Sequence, residues 1–177
     1  MNTRTSLPRL GAMIVLSLVA LTGCTATTTT TPTSTPAGEV LRIDDAWVKS
    51  ADEGMSAVFG TLVNDGAEDV TVTSVASAAS PMIELHETVQ NDAGEMVMRE
   101  IAGGFVVPAG GGLVLEPGGN HIMMMDLAEP LRAGDEVTFT VTLSDDSTYD
   151  FTAPVKDYSG ANENYDDGGD DDEGMDH

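Results

Sequence analysis

Cysteine occurs once, at position 24, basic residues number seven, and aromatic residues make up 5% of the chain. A single thiol cannot close an intramolecular disulfide, so the fold has no covalent staple. Thirty Asp and Glu against seven Lys and Arg give a formal net charge of −23. Such a field repels phosphate backbones, which removes nucleic acid from the candidate partners. The apolar run Leu10–Leu21 is too short to span a bilayer comfortably. No Ser/His/Asp set, glycine-rich phosphate loop or paired-carboxylate motif stands out, so the chain is not expected to be an enzyme.

What is present begins with an export signal. Arg4 and Arg9 precede the apolar run, and small residues Thr22-Gly23 lead directly to Cys24. The arrangement resembles the bacterial lipobox, in which the cysteine is diacylated and becomes the new N-terminus. Two acyl chains anchor stably where one does not. The expectation is a domain outside the cytoplasm, attached to the membrane through Cys24. Residues 24–39 are rich in Thr and Pro and read as a tether. Residues 157–177 are dominated by Asp, Glu, Gly and Asn and read as a disordered acidic tail. Between them, residues 40–156 form the foldable part.

That part reads as strands throughout. Short apolar or alternating segments follow one another from Leu41 to Val155, with turn material between them such as Asn64-Asp65-Gly66 and Pro117 to Asn120. Glu136 to Leu143 alternates cleanly, with Val137, Phe139, Val141 and Leu143 on one face. Many short strands at near-regular spacing predict an all-β fold, an antiparallel Greek-key β-sandwich or barrel.

Ten residues are methionine, and Met96, Met98, Met123, Met124 and Met125 fall in two of the expected strands beside two of the three histidines, His86 and His121. In Met82–Val89, His86 points away from the face carrying Ile83, Leu85 and Val89. A hairpin loop over Gln90–Gly94 would set Val89 against Glu95 and His86 directly against Met98. His121 and Met123 are two apart and share a face, roughly 7 Å apart along the strand. Spacing alone leaves open whether the two pairs converge. Thioether sulfur is soft and uncharged and selects Cu(I) over Zn, Mg or Ca, while a blue-copper centre needs a thiolate that no residue after Cys24 supplies. Trp47 reads as a core or rim aromatic, and Met55, Met82 and Met124 as packing residues.

The motifs LHETV around His86, MVMRE around Met98 and NHIMMMDL around His121 and Met123 resemble the periplasmic copper chaperone PCu(A)C family. DAWVK, AVFGTLVN, PAGGG and LEPGGNHIMMMDL extend the likeness over nearly all of the middle domain. The resemblance implies a cupredoxin-like fold and Cu(I) held by His86, Met98, His121 and Met123. It also implies delivery to the copper-site subunit of cytochrome c oxidase, sometimes with a Sco-type metallochaperone. The spacings from His86 to Met98 and from Met98 to His121 are each one residue longer than in the family. Both insertions can be absorbed in turns, at Gln90–Gly94 and Gly110–Gly112. The first leaves Met96 as an alternative to Met98, which is preferred for Arg99 beside it and for its expected place opposite His86. A methionine that can follow the first histidine is Glu87 here. Two other readings share parts of this pattern: a copper buffer serving tolerance, and a cell-surface β-sandwich without metal. Met175 and His177, two apart in the acidic tail, invite a second, Cu(II)-binding site, although a solubilising tail is the favoured reading.

Overall fold

The computed structural model describes residues 35–159 and the backbone of residues 164–165. The expected export signal, Cys24, most of the expected tether, Met175 and His177 lie outside the described residues. A single helical turn, α1 (Ala37–Val40), precedes ten strands: β1 (Leu41–Lys49), β2 (Ser56–Asn64), β3 (Val70–Ala76), β4 (Met82–Gln90), β5 (Met96–Glu100), β6 (Phe105–Val107), β7 (Gly112–Leu115), β8 (His121–Met125), β9 (Glu136–Leu143) and β10 (Thr148–Lys156). A two-residue strand, β11 (Asn164–Tyr165), follows them. The architecture is all-β, as the strand pattern predicts. Strands are hydrogen-bonded in the order β11-β5-β4-β8-β2-β1-β10-β9-β3-β6, with β7 paired to β2. The pairs are antiparallel apart from β1 with β10 and β11 with β5, which run parallel.

Period-2 alternation builds the core. In β9, Val137, Phe139, Val141 and Leu143 are buried, and β10 answers with Phe151, Ala153 and Val155. Phe139 and Phe151 are register partners, with ring centroids 5.0 Å apart. Val58 and Leu62 of β2, Leu85 of β4, and Ile122 and Met124 of β8 complete the same cluster. The buried Asn64 ties the loops at one end together. Its Nδ2 donates to Glu68 O and Val107 O, and its Oδ1 accepts from Gly66 N. The turn α1 is clamped to the β9–β10 hairpin, where Ala37 N donates to Asp145 Oδ2 and Gly38 N to Ser147 Oγ. Those two bonds draw the end of the expected tether onto the domain.

A bulge in β1 decides what its outer face carries. Asp44 pairs with Thr61, but Trp47 pairs with Phe59, so the register slips between them. Continuing without the slip would set Trp47 opposite Val58, on the core side. Asp45 adopts φ 53° and Gly60 φ 149° to accommodate the extra residue. A Cβ on Gly60 would lie 3.0 Å from both Ala46 Cα and Asp44 O, which restricts that position to glycine. The bulge thereby turns Trp47 away from the core and onto Phe59, with ring centroids 4.6 Å apart.

Candidate metal centre

The outward face of the β5-β4-β8-β2-β1-β10 stretch gathers the chemistry. His86 in β4 and His121 in β8 are direct cross-strand partners, with ring centroids 5.5 Å apart and planes at 66°. Both are buried, at 0% and 2% exposure. Met123 follows His121 on the same face, and its opposite faces, Ile122 and Met124, enter the main core. Met123 instead clusters with Ala57 and Phe59 of β2, against Trp47 and Met125. Met98, His121 and Met123 line one cavity of about 170 Å³ together with Met55, Phe59 and Lys49.

Met98 arrives there by a register different from the expected one. His86 pairs with Glu100, and Met98 with Thr88. The direct His86–Met98 opposition expected from the sequence is therefore incorrect, and the cause is Asn91. Its Oδ1 accepts from the amides of Ala93 and Glu95, its own amide donates to Glu95 O, and Gly94 N returns to Asn91 O. That network makes Asn91–Glu95 the loop and Gln90–Met96 the last ladder pair. The slip is two residues, an even number, so Met98 keeps the face of His86 and becomes its diagonal neighbour. Diagonal neighbours lie within reach of a long side chain. Met98 is 9% exposed and Met96 47% exposed, so Met98 is the thioether the fold turns into the site.

Each imidazole is oriented by a partner. His86 Nε2 lies 2.7 Å from Glu84 Oε2, and His121 Nδ1 lies 3.0 Å from Gly119 O. A carbonyl oxygen only accepts, so Nδ1 of His121 carries the hydrogen and the lone pair sits on Nε2. The Glu84 carboxylate likewise takes the Nε2 hydrogen of His86 and places the lone pair on Nδ1. Both lone-pair nitrogens are buried. This is the arrangement in which a second partner fixes a ligand histidine's tautomer and ring orientation. Glu84 is also the cross-strand partner of Met123. Among the described residues no three His, Cys, Asp or Glu side chains group to hold a metal.

The sequence reading did not single out Glu84, Gly119 or the rim. Glu84 was legible as the residue two before His86 on the same strand face, whereas Gly119 acts through its backbone and leaves no sequence signal. Met55 and Met82, expected to pack, are 47% and 43% exposed, whereas Met124 is fully buried as expected. Lys49 and Lys156, the only lysines in the chain, are register partners on the same rim. Lys156 Nζ sits 6.0 Å from the centre of the Trp47 ring. In so acidic a protein they concentrate positive charge beside the cavity.

The model of the family described as "Putative lipoprotein LpqE-like" matches residues 41–155. The chain belongs to this family. It is 44% identical over 150 residues to "Putative lipoprotein Lxx21020" of Leifsonia xyli subsp. xyli, covering 84% of this chain and 89% of that protein. "Uncharacterized protein RP573" of Rickettsia prowazekii is 30% identical over 92 residues, 52% of this chain and 50% of that protein. Among solved structures, the apo PCuAC domain of PmoF1 superposes with a TM-score of 0.57 at 18% identity, covering 67% of this chain and 95% of that one. Apo-DR1885 of Deinococcus radiodurans gives 0.53 at 24% identity, covering 84% and 97%. The fold is that of PCuAC domains.

Proposed function

We propose that this protein is a Cu(I) metallochaperone and not an enzyme, tethered outside the cytoplasm through a lipid on Cys24. The observation that carries the reading is the buried His86–His121 pair, its ring hydrogens taken by Glu84 and Gly119 O, beside the cavity that Met98 and Met123 line. Two neutral imidazoles and two thioethers make an uncharged, soft donor set suited to Cu(I). Because no thiol must be deprotonated to hold the ion, a thiolate-rich acceptor can draw it away, which suits delivery better than storage. Two solved neighbours of the same fold are titled a copper-bound PCuAC domain of PmoF2 and CuI-DR1885, which supports copper as the cargo. The relative named a lipoprotein supports the lipid anchor.

The acceptor we propose is the copper-site subunit of cytochrome c oxidase, directly or through a Sco-type metallochaperone. The test is Cu(I) transfer from the loaded, purified protein to the apo copper domain of the oxidase. Delivery predicts movement of metal down that pairing. Retention of the ion against the apo domain would instead identify a buffer.

A further inference from the structure

Met55 differs from every other thioether on the cavity in being reachable from outside. Of the residues lining the cavity, His121 is exposed by 2%, Met123 by 5% and Met98 by 9%, whereas Met55 is 47% exposed; His86, beside His121, is 0% exposed.

The backbone on both sides of Met55 is held. Gly54, at φ 77°, has its carbonyl bonded by Leu127 N at 2.9 Å. Ser56, 4% exposed, donates its hydroxyl to Lys49 O at 2.6 Å. Ala51 and Leu131 form a bridge that ties the same loop to the body. Met55 therefore has a fixed Cα on the cavity wall and a long, flexible, soft side chain that reaches solvent. What sets Met55 apart from the exposed Met82 and Met96 is its place on the cavity that Met98 and Met123 also line.

We propose that Met55 is a relay ligand: its thioether binds Cu(I) transiently as the ion passes between the buried set and an acceptor. The inference rests on the Cu(I) reading above. In the outgoing step the Met55 Cu–S bond forms as a bond to one buried donor, Met98 or Met123, breaks. An acceptor sulfur then bonds copper as the remaining donors leave. Copper stays Cu(I) throughout, and no electron or proton is transferred in the exchange between thioethers.

The experiment loads the purified protein with one Cu(I) and follows its removal by excess bathocuproine disulfonate, for wild type, Met55→Leu and Met55→Ala. Leucine keeps the apolar cover and removes the sulfur; alanine removes both. A relay predicts severalfold slower removal from both variants, with equilibrium affinity unchanged and thermal unfolding intact. Wild-type removal from Met55→Leu with faster removal from Met55→Ala would mean that the side chain is only a cover, and would overturn the proposal. A large loss of equilibrium affinity in Met55→Leu would overturn it in favour of a fifth resident ligand. If wild type takes up no stoichiometric Cu(I), the functional reading fails and the relay falls with it. Tight wild-type binding with no effect of Met55 sinks the relay alone.

Discussion

His86 and His121 come from strands 35 positions apart in the chain, yet they face one another across a single ladder rung, with ring centroids 5.5 Å apart. Glu84 lies two rungs further along β4, on the same face, opposite Met123. The two imidazoles and the thioether beside them are therefore set by one register, and a slip in β4–β8 pairing would dismantle all of them at once.

Substitutions on the two faces of β8 should separate binding from stability. His121→Ala and Met123→Ala, on the site face, should weaken Cu(I) affinity strongly in competition titrations against a chromophoric chelator. Met124→Ala, on the core face and fully buried, should cost about 2–5 kcal/mol in denaturant unfolding and leave Cu(I) affinity intact.

Glu84→Ala should weaken Cu(I) binding without removing a donor atom. Loss of the carboxylate that holds His86 Nε2 frees the ring to turn and change tautomer. Outer partners of metal-binding histidines are typically worth about 10–100-fold in affinity. Chelator competition reads the loss, and X-ray absorption should still show a mixed N/S shell.

Asp145 should contribute to stability on the acid side. The amide of Ala37, then Ser147, hold its carboxyl below the usual carboxylate value. A group whose folded value is depressed stabilises above its unfolded value and loses that contribution as pH falls through the folded one. The contribution should therefore be complete above about pH 4 and fade below it. Asp145→Asn should unfold more easily than wild type at neutral pH, and the difference should shrink in acid. A constant difference across pH would contradict the clamp.

The strands were largely legible because their signal is local. Period-2 alternation places Glu136–Leu143 with the bounds the structure has. Phe105–Val107 escaped because three residues between Gly104 and Pro108 are too few to show alternation. Side-chain direction along β4 and β8 followed from parity, so His86, His121 and Met123 fall on the expected face. Pairing did not follow. One Asn91 side chain shifted the β4–β5 register by two, and the bulge at Asp45 turned Trp47 onto the outer face. The His86–His121 rung joins segments that share no local turn, so no spacing rule reaches it.

The most direct measurement of the central claim is Cu(I) stoichiometry of the purified protein combined with copper K-edge X-ray absorption. One tightly held Cu(I) with both nitrogen and sulfur scatterers, lost in His86→Ala and in Met98→Leu, is the result expected from this site. An all-oxygen shell, or tight binding that survives both substitutions unchanged, would contradict it.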